Sequence, residues 1–177
     1  MIFTRTPVAG VVLIQAEPAS DERGSFTRIY CEQEFAAAGL ETRFPQRGLS
    51  SNTKQGTLRG MHYSVAPETK LVTVMHGAIF DVVLDLRAGS ATYLQWFGVE
   101  LAEGDGQSLY VPAGVAHGFQ TLRDATQVHY ALSEFHDPAA ARGARWDDPA
   151  FAIAWPQTEQ RILSARDATY PDFRADE

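Results

Sequence analysis

Between Gly48 and Ser133 the chain is cut into short β-prone runs by turn residues, and this spacing constrains the fold more than any other feature. The runs cover residues 48–52, 57–64, 70–75, 78–86, 93–101, 107–111, 118–122 and 127–133. Between them lie Lys54-Gln55-Gly56, His76-Gly77, Arg87-Ala88-Gly89-Ser90, Glu103-Gly104-Asp105-Gly106, Pro112-Ala113-Gly114 and Arg123-Asp124. Gly, Pro, Asp and Ser favour turns because they tolerate or pre-set the dihedrals a turn needs. Links this short join antiparallel strands, since a parallel crossover needs roughly a dozen residues or more. The pattern predicts an all-β antiparallel sandwich or barrel. His76-Gly77, between two apolar runs, reads as a tight hairpin.

The flanks are less regular. Residues 11–15 and 25–30 read as strands on either side of the turn Asp21-Glu22-Arg23-Gly24, and residues 32–38 read as a short helix closed by Gly39. The tail from Pro138 is richer in Ala, Pro and Asp and predicts short helices and loops packed on the sheets. No repeat, low-complexity tract or linker interrupts residues 1–177, so a single domain is expected. The apolar stretch 8–16 after Arg5 is short for a signal peptide and reads better as a strand. No apolar run reaches about 18 residues, so no membrane span is expected. The one cysteine, Cys31, excludes an internal disulfide and fits a reducing, cytoplasmic compartment. A net charge of −7 argues against general nucleic-acid binding. A site for a phosphorylated ligand would have to gather its Arg and Lys locally.

Two segments carry candidate chemistry. Gly106, Pro112, Gly114 and His117 resemble the second motif of the cupin superfamily, with Thr121 where an Asn is usual. Gly56 and His62 resemble part of the first. A metal-binding cupin adds a second His and a Glu to complete a divalent-cation site. Here Ser64 takes the second His position. Counting back from Gly77 puts Lys70 at the Glu position, and counting forward from His62 puts Glu68 there. A site with so few ligands and a cation inside predicts neither a bound metal nor another cofactor.

Longer runs narrow the resemblance. They are Gly56-Thr57-Leu58-Arg59-Gly60-Met61-His62-Tyr63, Lys70-Leu71-Val72 and Gly77-Ala78-Ile79-Phe80-Asp81-Val82-Val83-Leu84-Asp85-Leu86-Arg87. Tyr110-Val111-Pro112-Ala113-Gly114-Val115-Ala116-His117-Gly118-Phe119, Arg145-Trp146-Asp147-Asp148-Pro149, Trp155-Pro156 and Leu163-Ser164-Ala165-Arg166-Asp167 follow in order. Over nearly its whole length the chain resembles the dTDP-4-dehydrorhamnose 3,5-epimerase family, metal-free cupin-fold enzymes acting on nucleotide-linked 4-keto sugars. The resemblance implies a cupin-type jelly-roll barrel with short flanking helices. It implies His62 as general base, Asp167 as the carboxylate that orients it, Lys70 as the cation on the enolate oxygen and Tyr130 as the acid on the opposite face. Arg59, Ser51 and His117 would line the substrate pocket. The family is homodimeric, which implies that N-terminal strands within about residues 1–30 cross to the partner, with Arg23 and Phe26 reaching its nucleotide.

The residue types suit that chemistry. A C–H beside a ketone is acidic only if the oxyanion it forms is stabilised by a pre-placed cation or donor. Histidine titrates near working pH, and a tyrosine hydroxyl can return the proton. Strand alternation puts Gly60, His62 and Ser64 on one face and Arg59 on the other unless Gly60 permits a bulge. If Tyr130 points inward, His129 points away. Asp81, Asp85 and Arg87 read as a structural charge cluster, and Trp146 and Trp155 as packing residues. Arg47 and Leu49 replace a Gln and an Asn usual in the family, Arg28 an acid, and His136 an aromatic. These departures suggest a related sugar, another nucleotide, or epimerisation at only C3 or C5. A 3,4-ketoisomerase and a non-catalytic sugar-binding cupin are the competing readings.

Overall fold

The computed structural model describes residues 1–174. In chain order its elements are β1 (Ile2–Arg5), β2 (Val12–Gln15), β3 (Ala19–Asp21), β4 (Gly24–Phe26), α1 (Glu32–Ala37), β5 (Gln46–Asn52), β6 (Leu58–Ser64), β7 (Lys70–His76), β8 (Ala78–Asp85), β9 (Trp96–Ala102), β10 (Gln107–Val111), β11 (Val115–Thr121), β12 (Thr126–Leu132), β13 (Ala141–Gly143) and α2 (Ala165–Ala168). One sheet has the order β1-β2-β10-β7-β12-β5 and the other β13-β6-β11-β8-β9, with β3-β4 as a separate hairpin. Every ladder is antiparallel. This is the expected all-β, cupin-type jelly-roll sandwich. Among the described residues no helix is long and apolar enough to cross a membrane.

Alternation explains the layers. Val72 and Val74 of β7, Leu109 and Val111 of β10 and Val128 of β12 meet Ile79 and Val83 of β8, Leu101 of β9 and Phe119 of β11 in the central core. The neighbouring positions face outward and are covered in turn. Val82 and Leu84 pack under Phe151 and Trp155 of the tail. Leu71, Ile14 and Ala131 pack around Phe35 of α1. β8 is thus buried on both faces, and its sequence is apolar at every position but Asp81 and Asp85.

Several sequence expectations need correction. His76-Gly77 is not a hairpin: β7 and β8 belong to different sheets, so the turn carries the chain from one layer to the other. Gly77 has φ 78° there, and a Cβ would stand 2.3 Å from Thr126 Oγ1. The strand expected over 25–30 ends at Phe26, β9 starts at Trp96 rather than 93, and β11 starts earlier than expected, at Val115. β1 was not anticipated. It adds an edge to the large sheet by pairing with β2, which itself pairs with β10. β1 and β2 thus extend the large sheet beyond β10. The exposed β3-β4 hairpin forms a two-stranded sheet of its own.

Arg59 escapes simple alternation through a bulge. On β11, His117 faces His62 and Phe119 faces Arg59, so two residues of β6 oppose the single Gly118. Gly60 has φ 135°, and a Cβ on it would come within 2.5 Å of Gly118 Cα. Both the dihedral and the close approach require glycine. The bulge returns Arg59 to the face that carries His62. Gly60→Ala is therefore expected to destabilise the protein by about 1–3 kcal/mol through backbone strain alone. Thermal unfolding of the variant checks this, and an unchanged midpoint would contradict it.

Candidate active site

At one end of the sandwich, polar residues replace the apolar core and line a cavity of about 350 Å³. The five-stranded sheet supplies Arg59, His62 and Ser64 from β6 and His117 from β11. The six-stranded sheet supplies Lys70 from β7, Tyr130 and Leu132 from β12 and Ser50 from β5. Register accounts for the second set: Lys70 pairs with Leu132 and Ser50 with Val128, so these side chains share Tyr130's inward face. His129 faces the opposite side, beside Arg47 and Tyr30.

His62 is oriented from the far end of the chain. Its Nε2 lies 2.7 Å from Asp167 Oδ1, and the second carboxylate oxygen accepts the Gly60 N–H at 3.3 Å. Asp167 is not the cap of α2. Ser164 is, its hydroxyl accepting the Asp167 N–H at 3.1 Å, which leaves the carboxylate free to turn inward. Burial opposes ionisation of Asp167, but the hydrogen bond from His62, its charge, and the Gly60 and Ser164 donors outweigh it and hold the carboxyl below its usual range. A carboxylate on Nε2–H leaves Nδ1 as the basic nitrogen.

Across the cavity, burial and the charge of Asp81 push the Tyr130 phenol well above the usual tyrosine range, against the opposing pull of Arg59. Tyr130 therefore keeps its proton at working pH. Its ring meets His117 edge-on, with centroids 5.8 Å apart. His117 is buried, and its Nε2 lies 2.6 Å from Asp81 Oδ1. The Lys70 ammonium, its side chain 12% exposed, donates to the His62 carbonyl at 3.4 Å and pairs with Glu68 at 3.6 Å. Burial holds it below the ordinary lysine range despite the opposite influence of Glu68. Arg59 is steadied by Asn52, whose Oδ1 accepts its Nε–H at 2.8 Å. With Arg142 and Arg166 at the rim, the cavity gathers cations in a chain of net charge −7.

The structure thus brings together His62, Asp167, Lys70, Tyr130, Arg59 and His117. It does not bring Ser51 with them. The inward serine is Ser50, and Ser51 lies on the exposed face of β5 one position on. Arg23 and Phe26 also lie outside this chain's cavity. They sit on the β3-β4 hairpin, where Arg23 pairs with Asp21 and Phe26 is 75% exposed. The supposed charge cluster divides in two. Asp85 binds Arg87, Ser90 and Thr92 and is structural, whereas Asp81 belongs to the site. Its inward direction follows from β8 alternation, since Ile79 and Val83 also face the core. Asn52 and Glu68 were equally missed as site residues; Ser50 was recoverable from strand parity. Arg28 pairs with Glu34 of α1, while His136 lines the cavity. Among the described residues no three His, Cys, Asp or Glu side chains are grouped to hold a metal ion.

The fold and site define a jelly-roll sandwich whose end cavity carries a carboxylate-paired histidine on one sheet and a protonated tyrosine and a lysine on the other. Residues 5–175 match the family model described as dTDP-4-dehydrorhamnose 3,5-epimerase. A protein of that name from Methanothermobacter thermautotrophicus is 39% identical over 97% of this chain and 94% of its own length. A dTDP-4-dehydrorhamnose 3-epimerase from Streptomyces niveus is 39% identical over 90% of this chain and 78% of its own. The crystal structure of dTDP-4-dehydrorhamnose 3,5-epimerase from Elizabethkingia anophelis superposes with a TM-score of 0.93 at 32% identity, covering 98% of this chain and 96% of that one. The chain belongs to the dTDP-4-dehydrorhamnose 3,5-epimerase family.

Lysine occurs only at positions 54 and 70, so the ε-amines can be followed individually. In nitrogen-15 lysine NMR, the Lys70 Nζ is expected to titrate below about 10.4, the ordinary lysine value. A midpoint at or above that value would contradict the burial described above.

Proposed function

We propose that the protein inverts C3, C5 or both in a dTDP-linked 4-keto-6-deoxy sugar, without a cofactor. The observation that carries this reading is the opposition of His62 and Tyr130, which come from facing sheets with the cavity between them. A sugar ring held there presents one face to each. His62 Nδ1 removes the proton from the carbon beside the ketone. The C–H electron pair moves to the carbonyl oxygen, where Lys70 stabilises the enolate. Tyr130 returns a proton to the other face as the carbonyl re-forms, and the carbon is inverted with no change in composition. An oriented base, a stabilised oxyanion and a placed acid are the groups this reaction needs.

Arg59, Arg142 and Arg166 supply the local positive charge that a diphosphate requires. His117 and Ser50 are further candidates for contact with the sugar. We assign the exposed β3-β4 hairpin to a homodimer contact, in which Arg23 and Phe26 would complete the partner's nucleotide site. The single Cys31 agrees with work in the cytoplasm. A one-carbon outcome is a second reading, supported by the 3-epimerase among the relatives and by His136 at the cavity wall.

Two variants test the assignment. His62→Asn is expected to lower kcat by about 10²–10⁴-fold, the usual worth of a general base, and to abolish exchange of substrate hydrogen with heavy water. Tyr130→Phe is expected to keep that exchange while losing inversion, because the enolate still forms but is reprotonated on the side of abstraction. Full turnover by His62→Asn, or unimpaired inversion by Tyr130→Phe, would overturn the corresponding role.

A further inference from the structure

Glu68 is an acid inside a cavity otherwise dominated by cations and histidines. It lies just before β7, lines the cavity, and its side chain is only 11% exposed. A carboxylate is seldom left in so enclosed a place without a partner. Its partner is Lys70, 3.6 Å away. The other charged or titratable groups around the cavity are Arg59, His62, Tyr63, His117, Tyr130, His136, Asp137, Arg142 and Arg166. Asp137 is the only other acid in that set, and its Oδ1 accepts the Ala139 N–H on the loop after β12. Among the described residues Glu68 is the one carboxylate within ion-pair distance of the Lys70 ammonium.

Two environmental effects compete on this lysine. Enclosure favours the neutral amine, and an adjacent carboxylate favours the ammonium. Only the ammonium can stabilise a developing oxyanion by charge. Its three hydrogens are also divided: one is directed to the His62 carbonyl and one side faces Glu68, leaving the remainder for a ligand oxygen. The carboxylate therefore fixes both the charge and the direction of the group.

We infer that Glu68 is a positioning residue for the reaction: it keeps Lys70 protonated and aimed into the cavity, and so sets the upper pH limit at which the oxyanion is stabilised. The kinetic part of this inference rests on the epimerase reading, whereas the coupling between the two side chains does not.

The test is Glu68→Gln, which keeps shape and hydrogen-bonding capacity but removes the charge, with Glu68→Asp as the variant that keeps the charge. In nitrogen-15 lysine NMR, Glu68→Gln is expected to move the Lys70 titration to lower pH and leave that of Lys54 in place. With dTDP-4-keto-6-deoxyglucose as substrate, the loss in kcat should grow with pH, becoming about tenfold larger at pH 9 than at pH 6, as expected for removal of an opposite charge at this distance. Glu68→Asp should restore most of the alkaline activity. An unchanged Lys70 titration in Glu68→Gln, or a kcat loss equal at every pH, would overturn the inference, since a merely structural role predicts the latter. If the wild type turned over no 4-keto sugar and Glu68→Gln still moved the Lys70 titration, the coupling would be supported and the functional reading overturned.

Discussion

The gap between two packed β-sheets is the constraint on which this site depends. Facing sheets pack about 10 Å apart when apolar side chains fill the space between them. Through the middle of the molecule Val72, Val74, Val83, Leu109 and Phe119 do so. At one end the inward positions of the same strands carry Arg59, His62, Lys70, His117 and Tyr130 instead, and the gap opens into a cavity. His62 and Tyr130 are then fixed on opposite sheets. Neither requires a mobile loop to bring it into place, and each is held by a ladder of backbone hydrogen bonds.

Two buried carboxylates and a third that is largely enclosed give this frame its electrostatic character. Asp167 orients His62, Asp81 holds His117 and raises Tyr130, and Glu68 stands beside Lys70. Each negative charge is matched to a group that can be cationic or must keep its proton. The effect is an imidazole with one free nitrogen on one wall, and on the other a phenol that stays protonated and a lysine ammonium. Neighbouring groups pushed apart in proton affinity are what an acid–base reaction at neutral pH requires.

Much of this was legible in the sequence because turn chemistry is local. Gly, Pro and Asp marked most strand ends within a few residues, and strand alternation separated Tyr130 from His129. What was not legible depends on how strands meet. His76-Gly77 has the composition of a hairpin, yet nothing in two residues tells which sheet the next strand joins. The sequence allowed the bulge at Gly60 that brings Arg59 to the cavity, but not its partner Gly118, which faces Gly60 from a strand distant in sequence. Family resemblance pointed to Ser51, while the register of β5 on β12 turns Ser50 inward. Asp81 read as a member of a structural Asp-Arg cluster, because the sequence does not reveal that His117 lies on the adjoining strand. The β3-β4 hairpin lies outside both large sheets, with Phe26 exposed.

The central claim is that a carbon-bound proton leaves toward one sheet and returns from the other. The most direct measurement is a single-turnover reaction of the wild-type protein with dTDP-4-keto-6-deoxyglucose in heavy water, with C3 and C5 read by NMR. The account predicts one deuterium at each inverted carbon, with the carbonyl still at C4. Inversion without deuterium, or migration of the carbonyl, would contradict it.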